Sequence, residues 1–106
     1  MSRGDVSSAV APDAPGLEYF APLLGERFEL RHAGGALSAE LMEARALGAS
    51  NAAQSAPFSL LFKALPGALL PQQIFSVAHS RLAAADIFLV PVAAGDDGVS
   101  YEAVFS

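Results

Sequence analysis

The sequence contains no cysteine and no tryptophan, and only two histidines. Without cysteine there is no disulfide, no thiolate zinc site and no thiol nucleophile. His32 and His79 are far apart and form no short His-containing metal spacing, so a three-ligand site would have to borrow carboxylates. Charge is also scarce. Only 16% of the 106 residues are charged, against roughly 25% in an average soluble domain. Six Lys plus Arg face eleven Asp plus Glu, for a net charge of −5. That balance lacks the clustered cations a nucleic-acid partner needs. Long hydrophobic runs are missing too: the longest uncharged stretch, residues 46–62, is broken by Asn51, Gln54 and Pro57 and cannot span a bilayer. The first sixteen residues have no apolar centre of the kind a signal peptide requires. The expectation is a soluble chain, cytoplasmic by default, with no membrane insertion.

What is present is apolar material: 53% of residues are hydrophobic, enough for one core in a chain of this length. Residues 1–16, rich in Ser, Ala, Pro and Gly, read as a tail that is flexible or bound to a partner, with Val6 and Val10 its only large aliphatics. Residues 17–106 read as a single β domain. Leu17, Phe20 and Leu24 recur at spacings of three and four, which predicts a short helix stopped by Gly25. Alternation then takes over. Phe28 and Leu30 oppose Arg27 and Glu29, and Leu37, Ala39 and Leu41 oppose Ser38 and Glu40. With the Gly34-Gly35 turn between them, residues 26–41 predict a hairpin.

Residues 39–47 carry a conflict. Their composition favours helix, while the preceding alternation favours strand; strand is expected through about Arg45. Further strands are expected at residues 58–65, 73–79, 86–92 and 99–105. Pro91 should mark an edge or a bulge, because it has no N–H for a ladder. The fold class expected is mostly β: a six-stranded antiparallel barrel or sandwich with one short N-terminal helix.

Candidate chemistry is thin. His79 ends a strand just before Ser80 and Arg81, so its simplest role is to pin that turn. The sharper alternative is a general base oriented by Asp86 with a serine nucleophile, and no nucleophile-elbow motif supports it. His32 beside its glycine turn reads as solvated. Asp96-Asp97-Gly98 lacks the other ligands of a calcium loop, Gly34-Gly35 lacks the lysine of a phosphate loop, and Arg3-Gly4-Asp5 is a cheap tripeptide match. Glu40, Glu43 and Arg45 read as a solvated face. No catalytic residue, metal ligand or cofactor site is expected, and the chain does not read as an enzyme.

The anomaly lies in the distribution of charge. Between residues 46 and 80 the only formal charge is Lys63. Loops lie on surfaces, so the loops of this stretch should form an uncharged face with Leu65, Leu69 and Leu70 exposed. Depletion of charge is the compositional mark of an interface centre. The alternative is that these leucines fold back on the core.

Several ordered pieces carry a resemblance: Pro57-Phe58-Ser59-Leu60-Leu61-Phe62, Leu70-Pro71-Gln72, His79 with Leu82, Phe88-Leu89-Val90-Pro91, and Tyr101-Glu102-Ala103-Val104-Phe105, preceded by Phe20, Leu24-Gly25 and Phe28. Over residues 17–106 the chain resembles a small bacterial family of domains of unknown function. The resemblance implies a compact, mostly β domain and no reaction. The resulting expectation is a structural or interaction module that self-assembles or docks on a larger protein assembly, phage-tail-like or extracellular. Sheet edges, the uncharged loops and the tail would make the contacts, with Val6, Val10, Leu65, Leu69 and Leu70 as interface candidates. The competing expectation is a small-molecule or carbohydrate-binding barrel whose mouth is lined by Phe58, Phe62, Phe75 and Tyr101.

Overall fold

A computed structural model describes residues 16–47 and 57–105. It opens with a helical turn, α1 (Leu17–Phe20), continued by a 3-10 turn over Ala21–Leu23. Six strands follow: β1 (Arg27–His32), β2 (Gly35–Ala46), β3 (Phe58–Ala64), β4 (Gln73–His79), β5 (Leu82–Gly95) and β6 (Gly98–Phe105). They close into a barrel in the order β1-β2-β3-β6-β5-β4, every neighbouring pair antiparallel. The barrel, not the sandwich, is the architecture.

Alternation decides which side chains go inside. On β3, Phe58, Leu60, Phe62 and Ala64 are buried while Ser59, Leu61 and Lys63 face outward. On β6, Val99, Tyr101 and Ala103 point in, and Phe75 and Val77 do so on β4. A barrel of eight strands is just wide enough for side chains to fill, so six strands leave an interior of packed rings and leucines. The segment over residues 39–46 is strand. Ala39 and Leu41 are buried on the barrel face and pair with β1 or β3, so tertiary pairing overrides helix propensity there. A bulge between Leu41 and Glu43 shifts the register and leaves Met42 exposed.

Both ends are stoppered. At one end Phe20 and Leu23 are buried, and the Phe20 ring lies 6.3–6.4 Å from those of Phe28, Phe58 and Phe105. Phe58 and Phe105, directly opposite on β3 and β6, stack at 4.4 Å. At the other end β3 and β4 lie on opposite sides of the barrel, and residues 65–72 cross between them. Ala68 and Leu70 of this crossing pack against the core.

β5 departs from expectation. It runs from Leu82 to Gly95, well beyond the predicted 86–92, because Ala83, Ala84 and Ala85 give no apolar contrast to read. Its first half pairs with β4 up to Leu89, and only Val90 onward pairs with β6. A register shift between Pro91 and Ala93 marks a bulge, as the proline suggested. Between the strands expected at 86–92 and 99–105, the connection shrinks to a tight turn at Asp96 and Asp97, with Gly95 and Gly98 paired across it.

Candidate interaction site

The crossing over residues 65–72 is built by a turn and a latch. Leu65, Pro66, Gly67 and Ala68 form a tight turn closed by Ala68 N–H donating to the Leu65 carbonyl at 3.2 Å. Gly67 sits at φ +85°, which the third position of a proline-led type II turn demands. The Tyr101 ring is fully buried, and its hydroxyl reaches out of the core. That hydroxyl accepts from Leu70 N–H at 2.9 Å and donates to the Ala68 carbonyl. An uncharged loop is thereby held by its backbone, while Leu65 and Leu69 point into solvent at 66% and 58% exposure. Leu70 behaves differently: it is half-buried and packs on the core, so the expectation of exposure is corrected there. Val6 and Val10 lie outside the described residues.

A second apolar surface was not read from the sequence. Past the Val90–Glu102 pair, β5 and β6 are no longer bridged. The seam between them is an open groove of about 320 Å³ lined by Asp86, Ile87, Phe88, Glu102, Val104 and Phe105, with Val90 and Ala103 completing it. Ile87 and Ala103 form its buried floor, and Phe88 and Val104 its exposed flanks at 50% and 61%. Ile74, 63% exposed, sits opposite Phe88 on β4 and extends the row.

The histidines are structural in geometry. His79 is followed by the turn at Ser80 and Arg81. Its Nδ1 accepts the backbone N–H of Arg81 at 3.0 Å, and its Nε2 lies 2.8 Å from Glu26 Oε1. With Nδ1 accepting, the proton of the neutral ring sits on Nε2 and points at Glu26. The turn is pinned through the backbone N–H of Arg81. The carboxylate beside His79 is Glu26, and Asp86 lies instead on the outward face of β5, paired with Ser76. His32 repeats the device: its Nδ1 accepts from Gly34 N–H at 3.1 Å, and its ring stands edge-on to Phe75 at 5.8 Å. It is therefore half-buried and engaged, not simply solvated. Glu43 does face water, exposed and paired with Arg45. Lys63 pairs with Asp97, which neutralises the one formal charge of residues 46–80.

Glu26 also binds the guanidinium of Arg81, so its carboxyl is held below the usual value, first by that bond and then by His79. A depressed folded value means the stabilisation is complete above the ordinary carboxylate range and is lost as pH falls through the folded value. The melting temperature is expected to drop on acidification from about pH 5 to about pH 3. In Glu26→Gln part of that slope should vanish; an unchanged slope would show that the pair contributes nothing.

The rings expected to line an open mouth do not. Phe58, Phe62, Phe75 and Tyr101 are at most 3% exposed and form the barrel's interior, with both ends closed over them. Among the described residues no helix is long and apolar enough to cross a membrane. Comparison with curated proteins and with solved structures gives no match to either. A family model does match, over residues 15–105. The chain with this stoppered barrel belongs to the family described as Domain of unknown function (DUF6916).

Proposed function

We propose that this chain is a non-enzymatic interaction module, which self-assembles or docks on a larger protein assembly through its uncharged crossing loop. The carrying observation is the loop itself. Residues 65–72 bear no charge, are tied to the core by the Tyr101 hydroxyl, and hold Leu65 and Leu69 out to water. A pre-ordered apolar projection gains from burial without first losing conformational entropy, which is the economical design for a contact surface. The non-enzymatic part has its own support. Both ring nitrogens of His79 are committed, one to a backbone N–H and one to Glu26, so neither offers a lone pair to a substrate.

Size-exclusion chromatography with light scattering tests the reading. The wild type is expected to elute above its monomer mass of 10.9 kDa. Leu69→Lys should shift it toward monomer while leaving the melting temperature within a degree or two, because the side chain touches little of its own subunit. A monomeric wild type that also leaves its assembly partners unbound, or a Leu69→Lys variant that associates normally, would defeat the loop as the contact.

A further inference from the structure

The seam between β5 and β6 is a separate surface with a chemistry of its own. Both of its walls are strand edges. Among the described residues, 86–89 of β5 are bridged to β4 on one side only, and 103–105 of β6 to β3 on one side only. Backbone N–H and C=O groups on an unbridged edge seek a ladder partner. Only another extended polypeptide supplies one; a sugar or an acyl chain offers no matching repeat. The walls are four and three residues long, roughly 13 Å and 10 Å at the rise of a strand.

Side chains sort any such strand. Ile87 and Ala103 make an apolar floor that would take one alternate set, and Phe88 and Val104 flank the outer set, with Ile74 beyond. The rim adds a sign. Among the described residues, its lining includes two carboxylates, Asp86 and Glu102, and no cation. A second copy of this chain would bring its own net charge of −5 against that rim, which disfavours it relative to a strand with basic flanks.

We propose that the β5–β6 seam is a docking groove for an extended peptide segment of another protein, alternating in apolar side chains and carrying Lys or Arg at a flank. The segment adds as a strand where the barrel parts. This rests on the reading of the chain as an interaction module, and it adds a second surface and the chemistry of the partner.

The test is selection from a random heptapeptide library displayed on phage, panned against the full chain. Enriched peptides should alternate apolar residues, lack a central proline, and end in Lys or Arg. A synthetic peptide of the enriched sequence, followed by fluorescence anisotropy, should bind Val104→Asp about tenfold more weakly or worse. Against Glu102→Lys the selected flank should switch to Asp or Glu. Val104 and Glu102 lie on the outer face, and circular dichroism melting verifies that both variants fold. No enrichment over bare support, enrichment indifferent to Val104→Asp, or a flank charge that ignores Glu102→Lys would overturn the proposal. So would a wild-type dimer abolished by Val104→Asp, which would place a second copy in the seam. Failure here, with association through Leu69 intact, removes the groove and leaves the module reading standing. Selection that succeeds while Leu69→Lys changes nothing removes the loop as a contact and leaves the groove as the module's surface.

Discussion

Replacing Phe20 by alanine is expected to lower the unfolding free energy by about 3–5 kcal/mol, the cost of emptying a buried aromatic site. Phe20 comes from a turn of helix outside the barrel, yet it is only 2% exposed and its ring meets those of Phe28, Phe58 and Phe105. These rings come from three strands, so the loss would be felt at the ends of β1, β3 and β6 together. The helical turn is too short to hold itself, and without its anchor it should detach. Urea denaturation would read the effect as a lower midpoint. Unmasking of the Phe58–Phe105 stack would show as increased binding of a dye specific for exposed apolar surface. A loss below about 1 kcal/mol would mean that the segment before β1 lies on the barrel without belonging to its core.

The second large effect is expected at Gly98. Its φ is +141°, and a Cβ built there would come within 2.3 Å of the Ala64 carbonyl oxygen. Neither problem can be relieved by turning a side chain, because the obstacle is backbone on β3, which pairs with β6 at Ala64 and Val99. Gly98→Ala should therefore cost about 3 kcal/mol or more, combining backbone strain with displacement of a strand. Gly95, its partner across the same turn, is the internal comparison. A Cβ there meets only the Asp97 carboxylate oxygen at 3.4 Å, so Gly95→Ala should stay within about 0.5–1 kcal/mol of wild type. Equal effects at both positions in thermal or urea unfolding would refute the steric argument.

Much of the barrel was legible because its strands are half-buried and polarity contrast is strong. Phe58, Leu60 and Phe62 alternate with Ser59, Leu61 and Lys63, and Tyr101 and Ala103 with Ser100 and Glu102. The start of β5 was not legible, since three successive alanines look alike on either face. Exposure of Leu65 and Leu69 could be anticipated from the missing charge around them. The inward turn of Leu70 could not, because it depends on a hydroxyl 31 residues away. The partner of His79 had no sequence signal either, Glu26 being 53 residues distant. The seam is the clearest case. Phe88 and Val104 belong to strands that read as ordinary neighbours, and only the register after Val90 and Glu102 reveals that the two part company.

The barrel closes where Glu29, Leu30 and Arg31 of β1 meet Ala78, Val77 and Ser76 of β4, a short hem compared with the pairing of β1 along its whole length with β2. Outside that hem the bonds of Glu26 to His79 and Arg81 act as a clasp, since they join the residue before β1 to the residues that end β4 and turn into β5. Acid that protonates Glu26 loosens the clasp beside the shortest run of pairing in the barrel, so amide exchange at Glu29, Leu30 and Arg31 is expected to quicken as pH falls, ahead of exchange along the β1–β2 pairing. A closure that opens even briefly bares two strand edges able to pair with other copies, which makes this short hem the place where acid would first expose the sheet.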